Sequence, residues 1–251
     1  MDADLLTRLE TSELSNELKT AVANFYTALE DALPNLPRRQ EWQLAMFSER
    51  ILDEITVDES DVYWWEITLD LAIRWTAEVE GPSGPAAQAA IALRDLLRET
   101  IDSDEEIKLV EINEDTVRGI CLMSETLDEP QRGMVADNAI SLAQAHFSPY
   151  AWFRAIYAGR TPVGFLMLSD DDQTPEYFLW RMMIAGPYQR RGYGREALDR
   201  LVDYVRTRPG AEELTTSCGQ GPQSPEEFYT KYGFEPTGEI AGDEVVLRLG
   251  L

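Results

Sequence analysis

Ala185-Gly186-Pro187-Tyr188-Gln189-Arg190-Arg191-Gly192-Tyr193-Gly194-Arg195 is the stretch on which the reading of this chain turns. It follows the apolar run Tyr177–Ile184, strand-like in composition, and leads into Glu196-Ala197-Leu198, where helical spacing begins. Glycines at 192 and 194 let the backbone turn tightly with its N–H groups facing inward. Those groups stand at the positive end of the next helix dipole, an arrangement that cradles a pyrophosphate. A plain strand-to-helix turn would use the same two glycines. The loop is neither GxxxxGK[ST] nor the dinucleotide GxGxxG.

Charge singles out the same segment. Residues 181–208 hold Arg181, Arg190, Arg191, Arg195, Arg200, Arg206 and Arg208 against Glu196, Asp199 and Asp203, a balance of +4 in a chain of net charge −24. An anionic ligand is tolerated on that island and repelled elsewhere. The same acidity argues against nucleic acid or an anionic bilayer as a partner.

The 251 residues suffice for two domains, and 44% hydrophobic residues can fill a core in each. No apolar run approaches the roughly 20 residues of a membrane span, and MDADLLTRLE lacks the basic and apolar regions of a secretory signal. A soluble, cytoplasmic protein is expected. Cys121 and Cys218 make neither a disulfide framework nor a zinc ribbon, and a single histidine, His146, excludes a His-rich cluster, so no metal site is expected.

Upstream of the loop the rhythm divides the chain. Leu14, Leu18, Val22, Phe25 and Leu29 recur at helical spacing, as do Leu44, Phe47, Ile51 and Ile55. Breaks at Pro34 and Pro37, at Asp58–Asp61 and at Gly81–Pro85 predict four helices near 4–30, 38–55, 62–80 and 86–101, packed as a bundle. Trp42, Trp64, Trp65 and Trp75 are read as its core and rim. The polar run Asp102–Glu106 marks the boundary, giving an all-helical domain over 1–104 and a second domain over 105–251. The second reads as α+β. Strands are expected at 108–113, 152–158, 163–169, 177–184, 213–218, 234–239 and 244–249, and helices at 114–124, 137–147, 194–207 and 224–232.

QRRGYG at 189–194 resembles the Q/R-x-x-G-x-G/A signature of the GCN5-related N-acetyltransferases (GNAT), and Phe228–Glu239, FYTKYGFEPTGE, is similar to a later segment of that family. The resemblance implies the GNAT fold, a mixed and mostly antiparallel central sheet flanked by helices, here preceded by the all-α domain. It also implies acetyl-CoA as co-substrate and no metal. Val135–Ala145, Trp152–Tyr157 and Tyr177–Arg181 resemble the bacterial spermine/spermidine (diamine) acetyltransferases, which implies a small amine acceptor, a polyamine first.

By that resemblance Gln189, Arg190, Arg191, Gly192, Tyr193, Gly194 and Arg195 hold the pyrophosphate. Met183, Ile184 and Ala185 run along the cofactor arm where the fourth strand splays from the fifth, and one of their N–H groups polarises the thioester. Tyr229 matches the family's general acid; with an ordinary pKa near 10 it stays protonated at neutral pH. Pro222 stands where relatives often carry an asparagine, so the CoA contact usually made there is not expected from it. An alkylammonium must lose a proton before it attacks, and Glu176 is the base candidate. Glu125, Asp128, Asp137 and Asn138 are expected on the acceptor side. A peptide amine, a protein lysine or an aminoglycoside is the alternative acceptor, and a CoA-binding interaction module the alternative of another class. The helical domain is a candidate homodimer face.

Overall fold

A computed structural model describes residues 3–56, 63–100, 106–171, 173 and 175–251. The chain divides into two compact units, Met1–Asp104 and Glu105–Leu251. The acidic break at Asp58–Asp61 and all but Glu106 of the polar run 102–106 lie outside the described residues.

The first unit consists, among the described residues, of α1 (Ala3–Thr11), α2 (Asn16–Ala32), α3 (Arg38–Thr56), α4 (Trp65–Glu80) and α5 (Pro85–Thr100). That is one helix more than the periodicity predicts. The pattern over 4–30 runs through a break, because Ser15 caps a new helix there, its hydroxyl accepting from Leu18 N at 3.2 Å. Gly81, with φ 83°, ends α4, and Pro85 opens α5 where its missing N–H is not needed. Phe25, Leu29, Ile51, Leu52, Leu69, Leu93 and Leu97 form the core. Trp64, Trp65 and Trp75 belong to it, while Trp42 is 58% exposed. Among the described residues no helix is long and apolar enough to cross a membrane.

The second unit runs β1 (Ile107–Val110), α6 (Val117–Leu122), α7 (Glu129–Arg132), α8 (Asn138–His146), β2 (Ala151–Ala158), β3 (Thr161–Asp171), β4 (Glu176–Ile184), α9 (Tyr193–Arg206), β5 (Glu213–Gly219), α10 (Glu226–Tyr232), β6 (Glu235–Ala241) and β7 (Glu244–Gly250). Every expected strand and helix is present. The short α7 is an addition to them, although Asp128-Glu129-Pro130-Gln131 spells a capping box that closes there.

The seven strands form one sheet in the order β1-β2-β3-β4-β5-β7-β6, antiparallel except for β4 beside β5. That parallel pair breaks off early. Its register runs Tyr177↔Leu214, Phe178↔Thr215, Leu179↔Thr216 and ends. On its other edge β4 stays paired to β3 as far as Ile184↔Gly164, and β5 stays paired to β7 as far as Gly219↔Glu244. Held from outside and released from each other, the two strands diverge and open the sheet. A bulge aids the divergence: Met167 faces Arg181 and Leu168 faces Leu179, so Trp180 is the extra residue and the strand bends there.

Candidate functional site

The gap between β4 and β5 is a cleft of about 870 Å³. One side is built by Trp180–Ile184 of β4, the loop after it and the start of α9; the other by Thr216–Cys218 of β5, Phe228 and Tyr229 of α10 and Glu244 of β7. Residues 131–136, the end of α7 and the segment after it, line it as well.

The loop is held in shape from below. Gln189 donates from Nε2 to Ile184 O at 3.0 Å and exchanges amide bonds with Gln131 at 3.0 and 3.2 Å. Gly186 N donates to Thr126 Oγ1 at 2.8 Å. Within this frame Gly192 caps α9 at φ 92°, a left-handed conformation that suits glycine, and Arg190 takes φ 64°. Two left-handed residues just ahead of a helix fold successive N–H groups into a concavity. At Gly194 a Cβ would meet Phe228 Cζ at 3.3 Å, so α10 packs directly on the first turn of α9.

Of the residues expected at the cofactor, Met183, Ile184, Gln189, Arg190, Gly192, Gly194 and Arg195 line the cleft. Arg191, Tyr193 and Ala185 do not. The Arg191 guanidinium turns back over the Tyr188 ring and donates to Pro187 O at 2.8 Å. Ala185 N donates to Val163 O at 2.9 Å, so it faces β3. By the alternation of an antiparallel ladder, the Ile184 and Met182 amides face the opposite way, toward the open edge.

Tyr229 lines the cleft at 6% exposure, its ring edge-on to Phe228 and Phe234. Burial pushes its phenol up to about 12, with the Thr216 hydroxyl pulling weakly the other way. A neutral, well-protonated hydroxyl therefore stands at the mouth of the β4–β5 gap.

The acceptor-side expectations fare differently. Glu176 is exposed at the first position of β4, opposite Asp171, roughly 26 Å of extended chain from Ile184. It is not among the residues around the cleft. Glu125 is engaged by Arg132 at 3.5 Å, Asp128 caps α7, and Asp137 stands exposed ahead of α8. Asn138, 1% exposed, donates from Nδ2 to Ile120 O at 2.7 Å and contacts Met183 Sδ at 3.5 Å. It braces the Met183 side chain of β4.

Other lining residues were not assigned to the site from sequence: Gln131, Trp180, Thr216, Ser217, Gln223, Phe228 and Glu244, with Arg181 singled out only as part of the cationic island. Glu244 is the one carboxylate among them. It opens β7 beside Gly219, and the Ser217 hydroxyl donates to its Oε2. Nothing local marks it in sequence, since only the β5–β7 register carries it to the gap.

Comparison with solved structures gives a match that reaches a TM-score of 0.50 and others below it. The acetyltransferase of Salmonella typhimurium that modifies the N-terminal serine of ribosomal protein L7/L12 superposes with a TM-score of 0.50 at 12% identity, over 60% of this chain and 98% of that one. The PaiA N-acetyltransferase of Thermoplasma acidophilum, solved with coenzyme A, gives 0.46 at 15% identity over 58% and 99%. The ribosomal-protein-S18-alanine N-acetyltransferase of Escherichia coli gives 0.46 at 14% over 57% and 93%. No curated protein matches the chain. The acetyltransferase (GNAT) family model, however, matches residues 103–234, more than half of the chain's length: the chain belongs to the GNAT family of acetyltransferases.

Proposed function

We propose that this acetyltransferase moves the acetyl group of acetyl-CoA to a small primary amine by direct attack, with the β4–β5 cleft as its active site. The observation that carries the reading is the convergence of a preformed anion loop, a free strand edge and a buried phenol on one cleft. The residues present fit the cofactor: left-handed Gly192 leaves the concavity open, where a Cβ would stand in strained backbone.

Bound acetyl-CoA supplies an activated acyl group whose carbonyl carbon accepts an amine. The N–H groups at Gly192–Gly194 take the pyrophosphate, with Arg190 and Arg195 as charge-assisted partners. The outward amides of β4 pair with the pantetheine arm, and the Ile184 N–H donates to the thioester oxygen as that oxygen gains charge. Tyr229 delivers a proton to the departing sulfur. Because burial holds its proton to about 12, it remains a donor throughout the working range of pH.

The polyamine reading draws on the segments around Val135–Ala145 and Tyr177–Arg181 and on the net charge of −24. Against a polycation stands the lining itself, with Glu244 as its single acid among the described residues and Arg132, Arg181, Arg190 and Arg195 around it. Two measurements test the function. Calorimetric titration with CoA should give saturable 1:1 binding, and thiol release from acetyl-CoA should appear with at least one of spermidine, putrescine, amino acids, aminoglycosides or a lysine peptide. CoA binding with no turnover on any amine would convert the site into a sensing module.

A further inference from the structure

The cleft lining presents two opposite charges that are not spent on each other. Arg181 follows the β4 bulge, which turns it out of the strand's regular alternation and onto the cleft lining. Its Nη1 donates to Trp180 O at 2.7 Å and its Nη2 reaches Gln144 Oε1 at 3.4 Å. Its Nε is buried and has no hydrogen-bond partner. Burial pulls the guanidinium below its ordinary value while Glu244 pushes back, so the two groups feel one another across the gap. Glu244 acts on Tyr229 as well, raising its phenol further. Among the described residues no ion pair closes between Arg181 and Glu244.

The other arginines of the lining are placed differently. Arg132 is spent on Leu127 O and Glu125, and Arg190 and Arg195 belong to the phosphate loop and its helix. Arg181 is therefore the cation left for the acceptor, and Glu244 the anion. Leu127, Met134 and Val135 add apolar surface to the cleft, with Met134 Sδ packed against Gly219, the strand partner of Glu244.

We propose that the acceptor is an α-amino acid with an apolar side chain, its carboxylate bound by Arg181 and its ammonium by Glu244. A molecule with both charged groups on one carbon satisfies both side chains, whereas a polyamine leaves Arg181 facing a second cation. The inference rests on the acetyl-transfer reading of the cleft. Glu244 takes one proton from the ammonium and passes it to solvent, freeing the lone pair. The nitrogen then bonds to the acyl carbon as the carbon–sulfur bond breaks. Tyr229 gives its proton to the sulfur and recovers one from the acylated nitrogen, leaving amide, thiol and one released proton.

The test uses matched compounds on the full chain: leucine, leucinamide and 3-methylbutylamine, then phenylalanine and 2-phenylethylamine, with spermidine alongside. Each is titrated calorimetrically into protein saturated with CoA and assayed for thiol release from acetyl-CoA. The expected result is binding of the amino acids and a kcat/KM about 10-fold or more above that of the amide or the decarboxylated amine. Arg181→Gln should erase that ratio, with KM for the amino acid rising, and Arg181→Lys should restore part of it. CoA affinity, measured on the same variants, reports that the fold is kept. Equal use of the decarboxylated amine or the amide, or a preference for spermidine, with CoA still bound, overturns the proposal and leaves acetyl transfer standing. Failure of the unaltered protein to bind CoA removes the acetyl-transfer reading itself, and this proposal with it.

Discussion

Tyr229 is the residue at which burial and chemistry meet most directly. Its ring is packed between Phe228 and Phe234, so removing only the hydroxyl leaves the packing in place. Tyr229→Phe should lower kcat by about 100-fold, within the usual contribution of a positioned acid, and change CoA affinity by less than about 3-fold. Stopped assays of thiol release and calorimetry with CoA separate the two effects, and an unchanged kcat removes Tyr229 from the reaction. Gly192 carries a different burden. At φ 92° it has space for a side chain, since a Cβ there would come no nearer to its surroundings than 3.8 Å, from Glu196 Oε1, so the objection to another residue is conformational. A β-branched residue avoids that region strongly. Gly192→Val should therefore flatten the concavity and weaken CoA binding by about 10-fold or more, with little change in melting temperature. Retained affinity would show that the loop does not hold the pyrophosphate.

At the scale of elements, the chain writes its secondary structure more openly than its site. Strands β1 to β7 and helices α6, α8, α9 and α10 follow from local alternation, turn residues and apolar spacing, which are properties of neighbours in sequence. The features that stayed hidden have other causes. Ser15 divides one apolar periodicity into two helices, because a cap can interrupt a helix without disturbing its spacing. Gln189 and the loop glycines were legible because their function lies in local backbone shape. Glu244 and Arg181 were not assigned to the acceptor, because the pairing of Glu244 with distant Gly219 and a bulge at Trp180 bring them to the cleft. The first unit also holds an element-scale acid that spacing does not announce. Glu54, at the end of α3, accepts from Trp64 N at 2.7 Å and so caps the start of α4. Burial raises its carboxyl from 4.5 to about 7, with the Trp64 and Trp65 amides and Arg50 opposing. A raised folded-state value means that the proton is held more tightly in the native protein. Its contribution is full below about 4.5 and is lost as pH rises through about 7, a span of about 3 kcal/mol. Relative to Glu54→Gln, the native chain should therefore lose stability between about pH 4.5 and about pH 8. Urea titrations followed by tryptophan fluorescence read this directly, since Trp64 and Trp65 adjoin the carboxyl. Parallel curves for the two proteins across that range would refute it.

For the whole molecule the question is how much of it the chemistry needs. Among the described residues, all seven strands find their partners within Glu105–Leu251, and those lining the cleft fall between Leu127 and Glu244. The first unit closes its own core as well: Arg98 of α5 pairs with buried Glu66 of α4, and the Tyr26 hydroxyl of α2 donates to Ser48 O of α3. A unit with its own core and satisfied backbone is expected to fold alone. The fragment 105–251 should thus be monodisperse, unfold in a single cooperative step and bind CoA within about 3-fold of the full chain. Circular dichroism melts and calorimetry check these points on purified fragment. The amine side gives the sharper reading. If the helices serve only as a neighbouring body, KM for the acceptor is also unchanged; if they shape acceptor access, kcat/KM for the amine shifts while CoA affinity does not. An aggregated or unfolded fragment would contradict the division, and would mean that the sheet depends on the helices for a part of its core.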